Sequence, residues 1–281
     1  MTSMSAGSPR LREQTSPAAS FARIWGLVLR YWFVMRSSWP RLAELVYWPL
    51  VQLLTWGFLQ TYLATTTSLA AKAGGIFIGA VLLWDILVRG QLGFAVAFLE
   101  EIWSRNLGHL MMSPLRPYEL VSALVLVSFL KLTIAMVPVV LLAYLLFGYN
   151  LLGLGLALVG FFANLVFSGW SLGLISTGVV LRWGLGAENF AWLILFALLP
   201  LCCVYYPVAV LPGWLQVVAL SLPPTYVFEG LRALVLHGVL DVGLLLKAFA
   251  LNIAYFAAAY AAFAYFLHSA RVNGTLVQMG E

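Results

Sequence analysis

The chain has 281 residues, of which 63% are hydrophobic and 9% are charged, with a mean hydropathy of +0.98. Apolar runs of about 20 residues recur along it, which excludes a soluble protein and predicts an all-α polytopic membrane protein, because helices of that length cross the hydrocarbon core and satisfy their own backbone groups. The formal net charge of +5 follows from membrane topology and does not call for a nucleic-acid partner.

The two ends of the chain are predicted to be cytoplasmic tails. Residues 1–20 are rich in Ser, Pro and Ala and are predicted to be disordered. No short apolar core with a small-residue cleavage site follows the first arginines, so this segment is not predicted to be a signal peptide. Residues 271–281 form the predicted C-terminal tail.

Residues 21–39 are predicted to form an amphipathic helix that lies along the cytoplasmic face of the membrane. The alternative is a cytoplasmic extension of the first span, against which Pro40 argues as a helix breaker. The pattern consists of apolar Phe21, Ile24, Trp25, Val28, Leu29 and Trp32 and of basic Arg23, Arg30 and Arg36.

Residues 40–270 are predicted to form one domain with six membrane spans. Turn residues or polar residues occur in each connection between the apolar runs. The predicted spans are residues 42–63, 76–99, 120–147, 152–181, 189–206 and 244–268.

The basic residues orient this domain. Residues 1–41 carry six arginines against one acidic residue, Glu13. A cytoplasmic N-terminus places ten basic residues inside and two or three outside, which predicts a cytoplasmic-membrane (inner-membrane) protein with both termini in the cytoplasm. The other inside residues are Arg105, Arg116, Arg182 and Arg271, and the outside residues are Lys72, Arg232 and Lys247.

Three charged residues fall inside predicted spans. Asp85 and Arg89 are four residues apart in the second span and therefore share one helix face. Such a pair either lines or gates a substrate path, or it neutralises itself and fixes helix packing. Lys131, in the third span, is expected to extend towards the membrane surface or to find an acid such as Asp85.

A polar segment, residues 98–119, separates the second and third predicted spans. Charged side chains cannot lie unpaired in the hydrocarbon core, so the segment predicts a short amphipathic helix at the membrane surface, available to a soluble partner. The charged and titratable residues concentrated here are Glu100, Glu101, Arg105, His109, Arg116 and Glu119.

Residues 207–236 are apolar but interrupted by prolines at 207, 212, 223 and 224. Each uninterrupted piece is about 10–12 residues long, too short to cross a bilayer. The pattern predicts a re-entrant hairpin of two short helices in the outer leaflet. Glu229 and Arg232, three residues apart, are expected to pair on its second helix.

Neither cysteine nor nucleotide chemistry is indicated. Cys202 and Cys203 are adjacent in the fifth predicted span, a spacing that predicts no structural disulfide and no metal site. A G-x-x-x-x-G-K-[ST] loop does not occur, so the chain is not expected to hydrolyse ATP itself. It is expected to be no enzyme and to bind no cofactor.

This order of elements resembles the permeases of type-2 ABC exporters over residues 20–275. Two motifs carry the resemblance, one in the polar segment and one in the predicted hairpin. The first runs Glu101, Asn106-Leu-Gly, Leu110-Met-Met-Ser-Pro-Leu-Arg-Pro-Tyr-Glu119; the second runs Leu211-Pro-Gly-Trp-Leu-Gln, Pro224-Thr-Tyr and Glu229-Gly-Leu-Arg-Ala-Leu234.

The resemblance implies that residues 100–113 form a coupling helix that docks on a cytoplasmic ABC ATPase. Many members carry a Glu-x-Gly-Thr-Leu run there, whereas this chain has Arg-Asn-Leu-Gly-His-Leu over residues 105–110. The implied coupling residues are Glu100, Glu101, Ile102, Arg105, Asn106, Leu107, Gly108 and Leu110. The hairpin positions that match are Pro212, Trp214, Pro224, Tyr226, Glu229 and Arg232.

The resemblance also implies a function and an assembly. Two ATPase copies, carrying ATP and Mg, would drive two permease copies, as a homodimer or else a heterodimer. The transported molecule would be an amphipathic or lipid-linked solute of the polysaccharide, lipid or hydrophobic-drug class. Membrane lipid is the other expected partner.

Two other functions are weighed against the exporter. An ion-coupled secondary transporter predicts an internal repeat with broken spans at corresponding places in two halves, and the predicted hairpin has no clear counterpart in the first half. An integral-membrane lipid-modifying enzyme calls for clustered carboxylates or histidines at one surface. Glu229 and Asp241 on the outer side are too sparse for that.

Overall fold

The computed structural model describes residues 16–66 and 75–272, and within those ranges it contains helices and turns but no strand. Ten α-helices follow one another along the described chain. They are α1 (Pro17–Arg36), α2 (Trp39–Thr66), α3 (Ile76–Trp103), α4 (Leu107–Met112), α5 (Pro117–Phe147), α6 (Leu156–Trp183), α7 (Phe190–Leu201), α8 (Gly213–Ser221), α9 (Pro223–His237) and α10 (Val242–Val272).

Five of these helices, α2, α3, α5, α6 and α10, are long and apolar enough to cross a membrane. The predicted fifth span, residues 189–206, is shorter than expected because α7 ends at Leu201. A 3₁₀ turn, Leu185–Ala187, precedes it, and together they make a 17-residue apolar stretch at most (Leu185–Leu201).

Helix α3 forms the centre of the bundle. It is buried almost throughout and packs against α6, α5 and α2, whereas most of α2 and α10 lies at the surface. The α3–α6 crossing is close because glycines face it: a Cβ built on Gly169 would lie 2.7 Å from the Leu87 carbonyl oxygen. The Gln91 side chain donates to Ser176 Oγ at 3.1 Å and to the Ala191 carbonyl at 3.0 Å, which ties α6 and the start of α7 to this centre.

A buried polar network joins α6 to α10. Ser168 Oγ donates to Asn252 Oδ1 at 2.7 Å, and Asn252 Nδ2 donates to Asn164 Oδ1 at 3.0 Å. All three side chains are buried. Hydrogen bonds between helices satisfy polar groups that lipid would leave unpaired, so this network fixes the lateral position of the last long helix.

Several predicted boundaries need correction. Residues 1–15 of the predicted tail 1–20 lie outside the described part of the chain. Ser16 caps α1, because its Oγ accepts a hydrogen bond from the Ala19 N–H at 3.2 Å. The predicted helix 21–39 therefore begins at Pro17, and it ends at Arg36. The predicted tail 271–281 is helical at its first two residues, and residues 273–281 lie outside the described part.

The predicted coupling helix 100–113 is two pieces. Its first residues are the last turn of α3, and only α4, six residues long, follows. The break is a C-terminal cap with Arg105 at a φ of 54°, where Asn106 N–H donates to the Glu101 carbonyl and Arg105 N–H to the Ile102 carbonyl, each at 2.9 Å. Residues other than glycine rarely adopt this left-handed backbone conformation, so nothing in the sequence indicated the break, and it was not predicted.

The segment predicted as a hairpin, residues 207–236, does contain two short helices, α8 and α9, after a 3₁₀ turn at Val208–Val210. Pro212 is the N-cap of α8, and Pro223 and Pro224 open α9, positions where the missing N–H costs nothing.

Candidate functional site

Two buried carboxylates hold α1 against the end of the bundle that carries the α3–α5 connection. The first is Glu101, in the last turn of α3, whose side chain is 1% exposed. It accepts Arg30 Nη2 at 2.9 Å and Asn106 Nδ2 at 2.7 Å. Beside it, the Tyr31 hydroxyl donates to the Ala97 carbonyl at 3.1 Å. The pair thus joins α1 to the place where α3 ends.

The second carboxylate is Glu119, in the first turn of α5, and its side chain is fully buried. It accepts Arg23 Nη2 at 2.5 Å and Nε at 3.0 Å, the Arg116 backbone N–H at 3.0 Å, and the Ser20 hydroxyl. The hydrogen bond to this carboxylate raises the pKa of Arg23 above its usual value. We call Arg23, Arg30, Glu101 and Glu119 the clamp.

The clamp changes the predicted orientation of α1. Arg23 and Arg30 were expected on a polar side facing away from the apolar residues, yet both turn towards the bundle and bind carboxylates. Buried Val28, Tyr31 and Met35 accompany them on that face. The opposite face exposes an apolar row at intervals of four residues, Phe21, Trp25, Leu29 and Phe33.

The α3–α5 connection presents a different set of residues from those predicted to couple. Of the predicted residues, Glu101, Ile102, Leu107 and Leu110 are buried, Asn106 and Gly108 are half-buried, and Glu100 faces Lys131. Arg105 alone among them is exposed. Of the exposed residues of this segment, we call Trp103, Arg105, His109, Met112 and Arg116 the connection patch; Ser104, Ser113 and Pro114 are also exposed.

The connection patch is braced by its neighbours. Ile102, Leu107 and Leu110 pack into the same apolar cluster as α1 and α5, so the exposed side chains project from a fixed base. Trp103 Nε1 donates to Glu188 Oε2 at 2.9 Å, which links the patch to the turn before α7. Arg105 and Arg116 were expected to make charged docking contacts. Trp103, His109 and Met112 were not predicted as coupling residues, because sequence spacing did not reveal which face of the broken helix is buried.

The three predicted intramembrane charges do not gather at one point. Asp85 is 2% exposed, and it has no ion pair or hydrogen bond in the described part of the chain. The predicted Asp85–Arg89 pair is not formed within 4.0 Å. Instead Arg89 lines a cavity of about 300 Å³ that Asp85 does not reach. A long arginine side chain can direct its charge towards the wetter end of a helix, which separates it from a shorter acid one turn away.

Lys131 does find an acid, although not Asp85. Its Nζ lies 3.4 Å from Glu100 Oε1 at the end of α3, and both residues line the same cavity as Arg89. The cavity also has Arg41 and Glu44 from α2 in its wall. Glu100 and Glu101 thus bind two different partners from different faces of one helix end.

At the far end of the bundle, Glu229 and Arg232 pair as predicted. Glu229 Oε1 accepts Arg232 Nη2 and the Val208 backbone N–H, both at 2.8 Å, and Arg232 Nη1 donates to the Cys203 carbonyl at 2.8 Å. Cys203 has a φ of 53° where the chain leaves α7. The pair therefore binds α9 to the backbone that breaks the predicted fifth span.

Of the other predicted hairpin residues, some are buried or hydrogen-bonded within the fold and one is exposed at the surface. Pro224 is buried, and the Tyr226 hydroxyl donates to the Leu220 carbonyl at 2.7 Å, which closes the α8–α9 turn. Trp214 is 71% exposed, and Pro212 stands at the start of its helix. Sequence reasoning missed Tyr205, which stacks on Trp56 with ring centroids 4.1 Å apart and joins this end to α2.

Comparison with known proteins gives one match. A family model described as ABC-2 type transporter matches residues 24–236, which is more than half of the chain. The match includes the connection patch, the cavity, the far-end pair and every clamp residue except Arg23. A search of curated proteins found no match.

Proposed function

The chain belongs to the ABC-2 type transporter family, and from that premise we propose that it is the permease subunit of an ATP-driven exporter. Permease domains of this family transport rather than catalyse, and they work with ATPase partners, generally as dimers. ATP and Mg would be bound by the partner. The ion-coupled secondary transporter and the integral-membrane lipid-modifying enzyme are the alternatives to this function.

The observation that carries the proposal is the connection patch. A soluble ATPase needs an exposed surface attached firmly to the spans it is to move. The patch offers this, because its exposed Arg105, His109 and Met112 stand on buried Leu107 and Leu110 between two long apolar helices. In the proposed orientation this end and both termini are cytoplasmic, in keeping with the surplus of basic residues there.

The clamp connects the connection patch to α1. Because Glu101 ends α3 and Glu119 starts α5, both helices that flank the patch are bonded to α1. A force applied to the patch is thereby shared with α1. The apolar row from Phe21 to Phe33 suits a helix lying in the membrane interface, so α1 would be the predicted interfacial helix.

The transport step is a linkage between two conformational equilibria. ATP closes the ATPase dimer, and the closed dimer makes different contacts with the patch from the open dimer. A difference in contact free energy is what shifts the permease between conformations. The re-entrant α8–α9 hairpin, fixed by Glu229 and Arg232, would close the outer end.

A sixth span completes the proposed topology. The Leu185–Leu201 stretch would rise roughly 26 Å as a continuous helix, close to the thickness of a hydrocarbon core. The exposed aromatic residues of α2 and α7, such as Trp48, Phe58 and Phe196, would face lipid or a second permease copy. We propose a homodimer, with a heterodimer as the alternative. The solute would be amphipathic or lipid-linked.

Reconstitution tests this function. The chain is co-expressed with each ABC ATPase subunit of the source genome, and complexes that co-purify are placed in liposomes with the ATPase outside. The proposed function predicts ATP-dependent movement of a labelled amphiphile from the outer to the inner leaflet. Failure of every ATPase to bind, or movement that persists without ATP, would refute it.

A further inference from the structure

The cavity beside the clamp has features of a binding site. Its volume of about 300 Å³ falls at the lower end of the range for small-molecule sites, roughly 300–1,000 Å³. Helices α1, α2, α3, α5 and α7 all contribute to its wall. It therefore lies where the interfacial helix, the central helix and the helix of the shorter fifth segment meet.

The charges of the cavity wall are unequal and incompletely paired. Lys131 and Glu100 form an ion pair, which leaves Arg41, Arg89 and Glu44. None of these three has an ion pair within the described residues, and Arg89 Nε is buried without a hydrogen-bond partner. The wall thus carries one more positive than negative charge and contains a guanidinium whose hydrogen-bonding capacity is unfilled.

An unpaired guanidinium at low exposure selects for anions that accept two hydrogen bonds. Its planar fork fits phosphate and carboxylate oxygens, and water exclusion strengthens such bonds. Arg89 also lies roughly 16 Å along α3 from Glu100, at 1.5 Å per residue, so the site reaches from the helix end into the bundle.

The remaining wall is apolar and aromatic. Trp48, Trp103 and Trp192 come from three different helices, and Val34, Leu45 and Val96 also line the cavity. A soluble anion would gain nothing from these surfaces, whereas an amphiphile would place its head group at the cations and its chains against the aromatic side.

We propose that this cavity binds the phosphate head group of a membrane amphiphile, with Arg89 and Arg41 as its ligands and the tryptophan side as the path of its acyl chain. The proposal deepens the proposed function, since the amphiphile is taken to be of the transported class. Lys131 acts through Glu100, which keeps that acid from repelling the head group. Binding requires neither ATP nor the ATPase.

Native mass spectrometry of the detergent-purified permease, without an ATPase, tests the site. Dioleoyl phosphatidic acid and dioleoyl phosphatidylcholine are titrated separately, and inorganic phosphate is added as competitor. We expect phosphatidic acid to bind about tenfold more tightly than phosphatidylcholine, because its terminal phosphate carries more negative charge and more free oxygens than the choline-substituted phosphate.

Single substitutions test whether the lipid binds in this cavity. Arg89→Gln and Arg41→Gln should each weaken the binding of phosphatidic acid about tenfold, and Arg89→Lys should weaken it less. Arg182→Gln is the matched control, because Arg182 is an exposed basic residue in the last turn of α6 outside the cavity. Arg41 is exposed, so its variant keeps the test decisive if Arg89→Gln fails to fold.

Three results would overturn the proposal. Equal binding of phosphatidylcholine would mean that the head-group charge is not selected. An equal loss in Arg182→Gln would indicate general attraction to a basic protein surface. Displacement of the lipid by inorganic phosphate at similar concentration would assign the site to a soluble anion. Each of these leaves ATPase binding and transport to be measured separately, so failure here is distinct from failure of the proposed function.

Discussion

Arg30 and Glu101 form an ion pair between helices that are 71 residues apart in the chain, with Nη2 2.9 Å from Oε2. The carboxylate is buried and the guanidinium is partly exposed, so the acid depends on this partner and on Asn106 for its hydrogen bonds. The pair therefore joins the end of α3 directly to α1.

Removing the Arg30–Glu101 ion pair should weaken the attachment of α1 but leave the rest of the bundle folded. Glu101→Gln is expected to cost about 1–3 kcal/mol, because the buried amide cannot replace the charged hydrogen bonds and Arg30 loses its partner. Thermal unfolding of the permease in detergent measures this. A double-mutant cycle with Arg30→Gln should give a coupling of about 0.5–3 kcal/mol.

The matched control for the first clamp pair is Arg36→Gln, which changes an exposed arginine in the last turn of the same helix. It should leave the unfolding temperature unchanged. A coupling energy near zero between Arg30 and Glu101 would show that their contact does not stabilise the fold.

The second buried carboxylate of the clamp, Glu119, should limit the access of protease to α1. Glu119→Ala removes the acceptor for Arg23 and Ser20 and for the first turn of α5. Limited trypsin digestion should then cut at Arg23 or Arg30 several-fold faster than in the unmodified chain, because opening of a local element exposes its backbone. Glu188→Ala, which removes a half-buried acid elsewhere on this end, should leave the cutting rate as it was.

The α3–α6 crossing should tolerate no side chain at Gly169. A Cβ there would lie 2.7 Å from the Leu87 oxygen and 3.0 Å from the Gln91 nitrogen, and backbone atoms cannot move aside cheaply. Gly169→Ala is expected to destabilise by about 1–3 kcal/mol. Gly26→Ala, on exposed α1 with nothing within 4 Å, should instead raise stability slightly. Equal melting temperatures for the two variants would contradict the close crossing.

The far-end pair should affect transport but not ATPase binding. Arg232→Gln leaves the Cys203 carbonyl and Glu229 without their charged partner and frees α9 from the end of α7. ATP-driven transport in liposomes should fall at least several-fold while the ATPase still co-purifies, because the connection patch lies at the other end. Lys247→Gln, an exposed change at the start of α10, is the control and should transport normally.

Composition and proline spacing predicted the long helices well, because apolar length is set by the membrane rather than by tertiary contacts. The start of α3 at Ile76 and the end of α5 at Phe147 match the predicted spans. Pro212 and Pro224 likewise marked helix starts, since a proline imposes its backbone angle wherever it stands.

Pairings between helices were not predictable in this way. Glu100 and Glu101 are neighbours, yet one faces Lys131 and the other Arg30, because the helix turns about 100° between them. Lys131 was expected to extend towards the membrane surface or to find an acid such as Asp85, and only the packing of α5 against α3 shows that Glu100 is its partner. The exposed face of the α3–α5 connection was likewise not predictable, because the helix break at Arg105 depends on backbone geometry rather than on residue type.

Cysteine cross-linking tests most directly whether the connection patch binds the ATPase. Cys202 and Cys203 are buried, so single cysteines can be placed at Met112 and Arg105, with Trp214, equally exposed at the far end, as control. Met112→Cys and Arg105→Cys should each cross-link to a co-expressed ABC ATPase through a short bifunctional reagent, and Trp214→Cys should not. An ATPase that co-purifies but links to neither patch cysteine, or links equally to Trp214→Cys, would contradict the account.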